Sequence, residues 1–149
     1  MIASWILPVC ESLHFIGMAM LIGFAGILDL RLLGVAKRLP VAPLQRLMPW
    51  ALLGFALNLG TGVVFIVANP GQYVGPPLSL SFVAKMFFIL LGCLNAFLYY
   101  VSGLKRAADG VEAGEEAPSG AKVSAAVSLF LWVAVMYWGR VLQFFGKSF

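Results

Sequence analysis

The hydrophobic pattern has four long apolar runs, at about residues 6–30, 50–68, 80–103 and 123–145, parted by shorter connections richer in charge or in Pro and Gly. A helix rises 1.5 Å per residue, so ~20 residues match the ~30 Å hydrocarbon core of a bilayer. Each run has roughly that length, which predicts four membrane-spanning helices. Their ends are punctuated accordingly. Pro8 falls in the first turn of the first helix, where a missing N–H is harmless. Pro49 and Trp50 open the second helix, and Asn69-Pro70-Gly71 close it. Trp5, Trp50, Tyr99, Tyr100 and Trp138 fall near predicted ends, like an interfacial aromatic belt. The expected fold class is all-α, an integral membrane four-helix bundle in a single domain.

Composition supports this reading and excludes others. The chain is 62% hydrophobic and 11% charged, whereas a soluble domain is about half apolar and a quarter charged. The net charge of +4 is confined to the connections, and the signatures of nucleic-acid modules are missing, so nucleic acid is not an expected partner. Cys10 and Cys93 lie in apolar runs and read as small buried hydrophobes. No signal peptide is expected, because the first run is too long and no basic stretch precedes it.

Charge also sets the expected orientation. Lys37, Arg38 and Arg46 lie in the first connection, with Arg31 just before it, and Lys105, Arg106 and Lys122 lie in or beside the third. The second connection, NPGQYVGPPLSLS, carries no charge. The positive-inside rule puts connections one and three in the cytoplasm and both termini on the other side. Residues 104–122, with Asp109, Glu112, Glu115 and Glu116 among Gly, Ala and Pro, read as a solvated, mobile linker. In the first connection, LPVAPLQRLMPW reads as a short interfacial helix.

Candidate chemistry lies where polar residues enter the apolar runs. Glu11, His14 and Met18 are spaced i, i+3, i+7 and share a helix face. The topology puts Lys85, near the start of helix three, and Arg140, near the end of helix four, in the same half of the membrane. One acid, one imidazole and two cations there predict a buried ion network with His14 as its titratable member. The plain alternatives are snorkelling of Lys85 and Arg140 to the headgroups, and an interhelical hydrogen bond for His14. Asp29 and Arg31 are expected to anchor the opposite boundary. Gly54, Asn58 and Gly62 recur every four residues on helix two, a stripe that invites close helix packing and self-association, with Asn58 bonding across. Asn95 lies near the Lys85 face of helix three, and Ser124, Ser128, Trp132, Met136 and Arg140 form a row on helix four.

Glu-x-x-His, then a Gly-rich run, then Asp-Leu-Arg-Leu-Leu-Gly resembles an uncharacterised family of short four-helix bacterial inner-membrane proteins. That likeness also takes in Lys85, Asn95 and the Trp-Gly-Arg at 138–140. More weakly, the chain resembles bacterial four-helix membrane protoporphyrinogen oxidases, with His14, Arg31 and Lys85 at the matching positions. Looser still is its similarity to copper-resistance membrane proteins and cytochrome-b561-like bundles. These resemblances imply a multi-pass protein of the bacterial inner membrane and, for the oxidases, b-type haem held by a helix-one His. The chain departs from them in having one His.

Two functions follow as expectations. In the first, His14 is the metal ligand of a b-type haem or other redox cofactor used in membrane electron transfer. Met86 or Met136 would supply the opposite axial ligand, and Lys85 and Arg140 would pair with propionates. In the second, the bundle is a non-catalytic accessory or anchor subunit, partnered by another membrane protein or by a second copy. A di-iron site fails for want of further carboxylates at membrane depth. Proton translocation lacks an acid chain beyond Glu11 and His14.

Overall fold

The computed structural model describes residues 2–74 and 80–145, with side chains for 4–74 and 80–144. Residues 75–79, the middle of the uncharged second connection, lie outside the described residues. The chain forms α1 (Ile2–Leu33), α2 (Val41–Gln45), α3 (Met48–Ala68), α4 (Pro70–Tyr73), α5 (Leu80–Val101), α6 (Leu104–Asp109) and α7 (Ser119–Phe145). Four of these helices are long and apolar enough to cross a membrane. The protein is a four-span membrane protein, and its many exposed aliphatic and aromatic side chains face lipid.

Local chemistry explains the boundaries. Helix α1 starts at Ile2, earlier than its apolar run suggests, so Pro8 sits in the second turn. Its other end is a Schellman motif: Gly34 N–H donates to the Arg31 carbonyl and Val35 N–H to the Leu30 carbonyl, both at 3.0 Å. Gly34 takes φ +95° there, a conformation that costs a side-chain-bearing residue dearly. Pro49 occupies the first turn of α3 as expected, and the chain turns at Asn69 into the single turn of α4.

The spans pack as two antiparallel pairs, α1 with α3 and α5 with α7, joined where α1 also meets α7. No comparable seam joins α3 to α5, which leaves a slot between the pairs. The tightest seam is Gly17 against Gly54. A Cβ on Gly54 would lie 2.6 Å from the Gly17 carbonyl oxygen, and one on Gly17 would lie 2.7 Å from the Gly54 carbonyl oxygen. Glycine at both positions lets the backbones touch. This corrects the expectation of a self-associating stripe, because Gly54 is buried inside the chain. Asn58 does not bond across either: its Nδ2 donates to the Gly54 carbonyl of its own helix at 3.1 Å. Gly62 has no neighbour within 4 Å of where its Cβ would be. Asn95, by contrast, does bridge helices. Its Nδ2 donates to the Ser124 carbonyl at 3.1 Å, and the Ser124 hydroxyl donates back to Oδ1 at 3.3 Å.

The end away from the termini, the loop end, holds a core of Leu28, Leu32, Val41, Leu44, Tyr99, Ala108, Val111, Ala117, Ala121 and Ala125. The third connection is therefore packed, not the free linker its composition suggests. Ala108 is 0% exposed, and Val111 N–H and carbonyl both bond within this end. Arg31, also 0% exposed, donates to the carbonyls of Leu39, Glu112 and Glu115, tying connection one to connection three. Gln45 donates to the Lys105 carbonyl at 3.3 Å. Helix α2 is tucked into this core through Val41, Leu44 and Gln45 and does not lie flat on the interface. Lys37 and Lys122 share Glu116 at 2.8 and 3.2 Å.

Candidate functional site

The slot holds two cavities, one in each half of the membrane. The cavity on the side of the termini, the terminal side, is about 210 Å³ and is lined by all four spans. His14 and Met18 come from α1, Asn58, Gly62 and Phe65 from α3, Lys85 and Met86 from α5, and Met136, Gly139 and Arg140 from α7. Five sequence candidates thus meet there: His14, Lys85, Met86, Met136 and Arg140. They come from three helices, with Lys85 next to Met86 and Met136 one turn from Arg140.

The hydrogen bonds of His14 define its chemistry. Its Nδ1 lies 2.7 Å from Thr61 Oγ1. Thr61 has one hydroxyl proton, and Oγ1 sits 2.8 Å from the Leu57 carbonyl and 3.2 Å from that of Asn58. When that proton goes to its own helix, Thr61 accepts and Nδ1 is the donor. The Asn58 carbonyl is also within hydrogen-bonding reach of the ring. With Nδ1 the donor of a neutral ring, Nε2 keeps its lone pair, the arrangement of an imidazole prepared to bind a metal or accept a proton. Phe65 meets the ring edge-on at 5.3 Å between centroids. Among sequence expectations, the interhelical hydrogen bond and the inward-facing imidazole are both met by one residue.

The cations differ in placement. Lys85 runs against α7, where a Cβ on Gly139 would fall 3.4 Å from its Nζ. Arg140 is exposed, donates to Gln143 Oε1 at 3.3 Å and stands 5.0 Å over the Phe144 ring. Glu11 is exposed and lines a neighbouring recess with Tyr73, Arg140 and Gln143 instead of the His14 cavity. Burial, and then the Glu11 charge, push the Tyr73 phenol above its usual range. The expected ion network is not made by contact: among the described residues the ion pairs within 4.0 Å involve Lys37, Lys105 and Lys122 only. Lys85 and Arg140 both line the cavity, while Glu11 lines only the recess that it shares with Arg140.

The loop-side cavity, about 250 Å³, was not foreseen. It is lined by Asp29, Asn95, Tyr99, Tyr100, Ser124, Ser128, Phe55 and Trp132, among others. Asp29 had been assigned only to the boundary. A signal existed, since Leu21, Ala25, Leu28, Asp29 and Leu32 fall on one helical face. Leu21, Phe55 and Trp132 line both cavities, and Phe55 and Trp132 meet edge-to-face at 5.9 Å between them. Gly92 seats that indole, as a Cβ there would come 3.1 Å from it.

Among the described residues no group of three or more His, Cys, Asp or Glu could hold a metal ion, and Cys10 and Cys93 are unpaired as disulfides. No family model, curated protein or solved structure matches this chain. Function is therefore argued from the cavities.

Proposed function

We propose that the protein binds b-type haem, or a related redox cofactor, in the terminal-side cavity through His14, and takes part in electron transfer in a bacterial inner membrane. The supporting observation is that His14, held at Nδ1 by Thr61, lines a largely apolar cavity to which all four spans contribute. Haem is a flat apolar ring with two anionic arms. The Met86 and Met136 thioethers line the same cavity as potential second ligands, and Lys85 and Arg140 offer cations for the arms. Bound there, such a group would supply one-electron chemistry. The residues would hold its iron, tune its ligand through Thr61 and keep water away. At about 210 Å³ the cavity is smaller than the ~300–1,000 Å³ of typical small-molecule pockets, so a macrocycle would extend into the slot between α3 and α5.

In this reading the termini face away from the cytoplasm. The basic residues of connections one and three support that orientation even where Glu116 and Asp109 pair with them, because acidic residues weigh little in the positive-inside rule. The resemblance to small bacterial inner-membrane bundles supports the location.

The test is an absorption spectrum of the protein extracted in mild detergent from cells supplied with haem. The expected result is a Soret band that His14→Ala abolishes and that Met86→Ala or Met136→Ala shifts. A colourless protein overturns the reading. If such a protein co-purifies stoichiometrically with another membrane protein, or with itself, the second reading stands: an accessory or anchor subunit whose slot seats a partner helix.

A further inference from the structure

The loop-side cavity combines apolar walls with two polar atoms that the fold leaves unused. Asp29 is 7% exposed and Tyr99 is 8% exposed, yet Asp29 Oδ2 and the Tyr99 hydroxyl have no hydrogen-bond partner. Both residues line the cavity, although the two oxygens themselves have almost no open surface there, so an occupant reaches them through a small side-chain rotation. Two further polar residues of the lining, Asn95 and Ser124, are taken up with each other, and Ser128 lies beside the Asp29 carboxyl. Orphaned buried polar atoms are costly, roughly 1–3 kcal/mol each, and call for an occupant.

The occupant's chemistry follows from the atoms. A carboxyl oxygen accepts a hydrogen bond, and a phenol can donate one, so the pair fits a group that both donates and accepts. A hydroxyl does that. The walls are aromatic, with Trp132, Phe55 and Tyr100 beside Tyr99, and they favour a flat ring behind the hydroxyl. The entrance is lipid: Leu52 and Tyr100 line the cavity and are 62% and 45% exposed, on the unsealed side between α3 and α5.

We infer that the loop-side cavity is a second binding site, for a lipid-soluble aromatic alcohol of the phenol or hydroquinone class that enters from the bilayer between α3 and α5. Its hydroxyl donates to Asp29 Oδ2 and accepts from Tyr99. This site is distinct from the His14 cavity, and the Phe55–Trp132 pair stands between them.

The experiment is equilibrium binding of a radiolabelled decyl-substituted hydroquinone to the full-length protein in detergent, with its dimethyl ether and dodecanol as competitors. Saturable binding at one per chain is expected, with the ether at least about tenfold weaker, since it cannot donate. Dodecanol, lacking a ring, should compete poorly. Tyr99→Phe should weaken the hydroquinone several-fold, and Asp29→Leu should erase its advantage over the ether. Equal binding of hydroquinone and ether to the unaltered protein, or unsaturable partitioning, overturns the site without any variant having to fold. Equal competition by dodecanol overturns the aromatic class. The outcomes are separable from those of the haem reading: a colourless protein that binds hydroquinone sinks only the latter, and a coloured one that does not sinks only this inference.

Discussion

The loop end and the terminal half of this bundle handle their inward-reaching cations in different ways. At the loop end Arg31 has no exposed surface, and three carbonyls from two connections meet its guanidinium. In the terminal half Lys85 and Arg140 reach a cavity with no ion pair among the described residues, and His14 is held at Nδ1 by Thr61. A charge that gives its Nε and Nη2 donors to backbone, as Arg31 does, holds a fold together even with its Nη1 unpartnered. A charge or lone pair left over beside a cavity is available to a ligand. The difference therefore assigns the two regions separate jobs, scaffold and site, although each draws on basic residues near a helix end.

The largest effect should come from breaking the scaffold. Arg31→Ala strands three carbonyls and is expected to cost about 3 kcal/mol or more of stability. Limited proteolysis should then cut the connection around residues 110–116 faster, and an unchanged cleavage rate would dissolve the contrast. Next comes the seam that carries both regions. Gly54→Ala pushes a methyl into the Gly17 backbone and should cost about 1–3 kcal/mol, read as a lower Tm in detergent. Gly62→Ala, on the same stripe but with no neighbour, should leave Tm unmoved. Equal losses at the two positions would show that the stripe acts as a unit after all.

A smaller effect is expected at the partition. Gly92→Ala crowds Trp132 at 3.1 Å, and the indole has cavity on either side into which to shift. Tryptophan emission should change with a Tm loss below about 1 kcal/mol in equivalent stability. The smallest belongs to the surface of the loop end. Lys37 first, and then Lys122, hold the Glu116 carboxyl below the usual carboxylate range. A carboxyl depressed in the folded state stabilises above its unfolded pKa and loses that contribution as pH falls through its folded one. The unaltered protein should therefore lose slightly more Tm than Glu116→Gln on acidification below about pH 4.5, an effect that added salt reduces.

Much of this could be read from residue order, though unevenly. The apolar runs show four spans because hydrocarbon tolerates no unpaired backbone, and length alone then suffices. Convergence of His14, Lys85 and Arg140 on one half follows from counting turns up and down the spans. Glu11 was misplaced because helical spacing tells which face a residue shares but not how that face rotates against its neighbours. The third connection was misread because Gly, Ala and Pro look like linker until Arg31, some eighty positions earlier, is found holding its carbonyls.

By itself the order of residues determined the number of spans and roughly where each lies, since those depend on length and on transfer from water to hydrocarbon. Only the tertiary structure decided which glycine meets which, which nitrogen of His14 is left over, and that Asp29 and Tyr99 share a cavity. Those outcomes rest on side-chain direction and helix pairing across long stretches of chain, which short-range patterns do not encode.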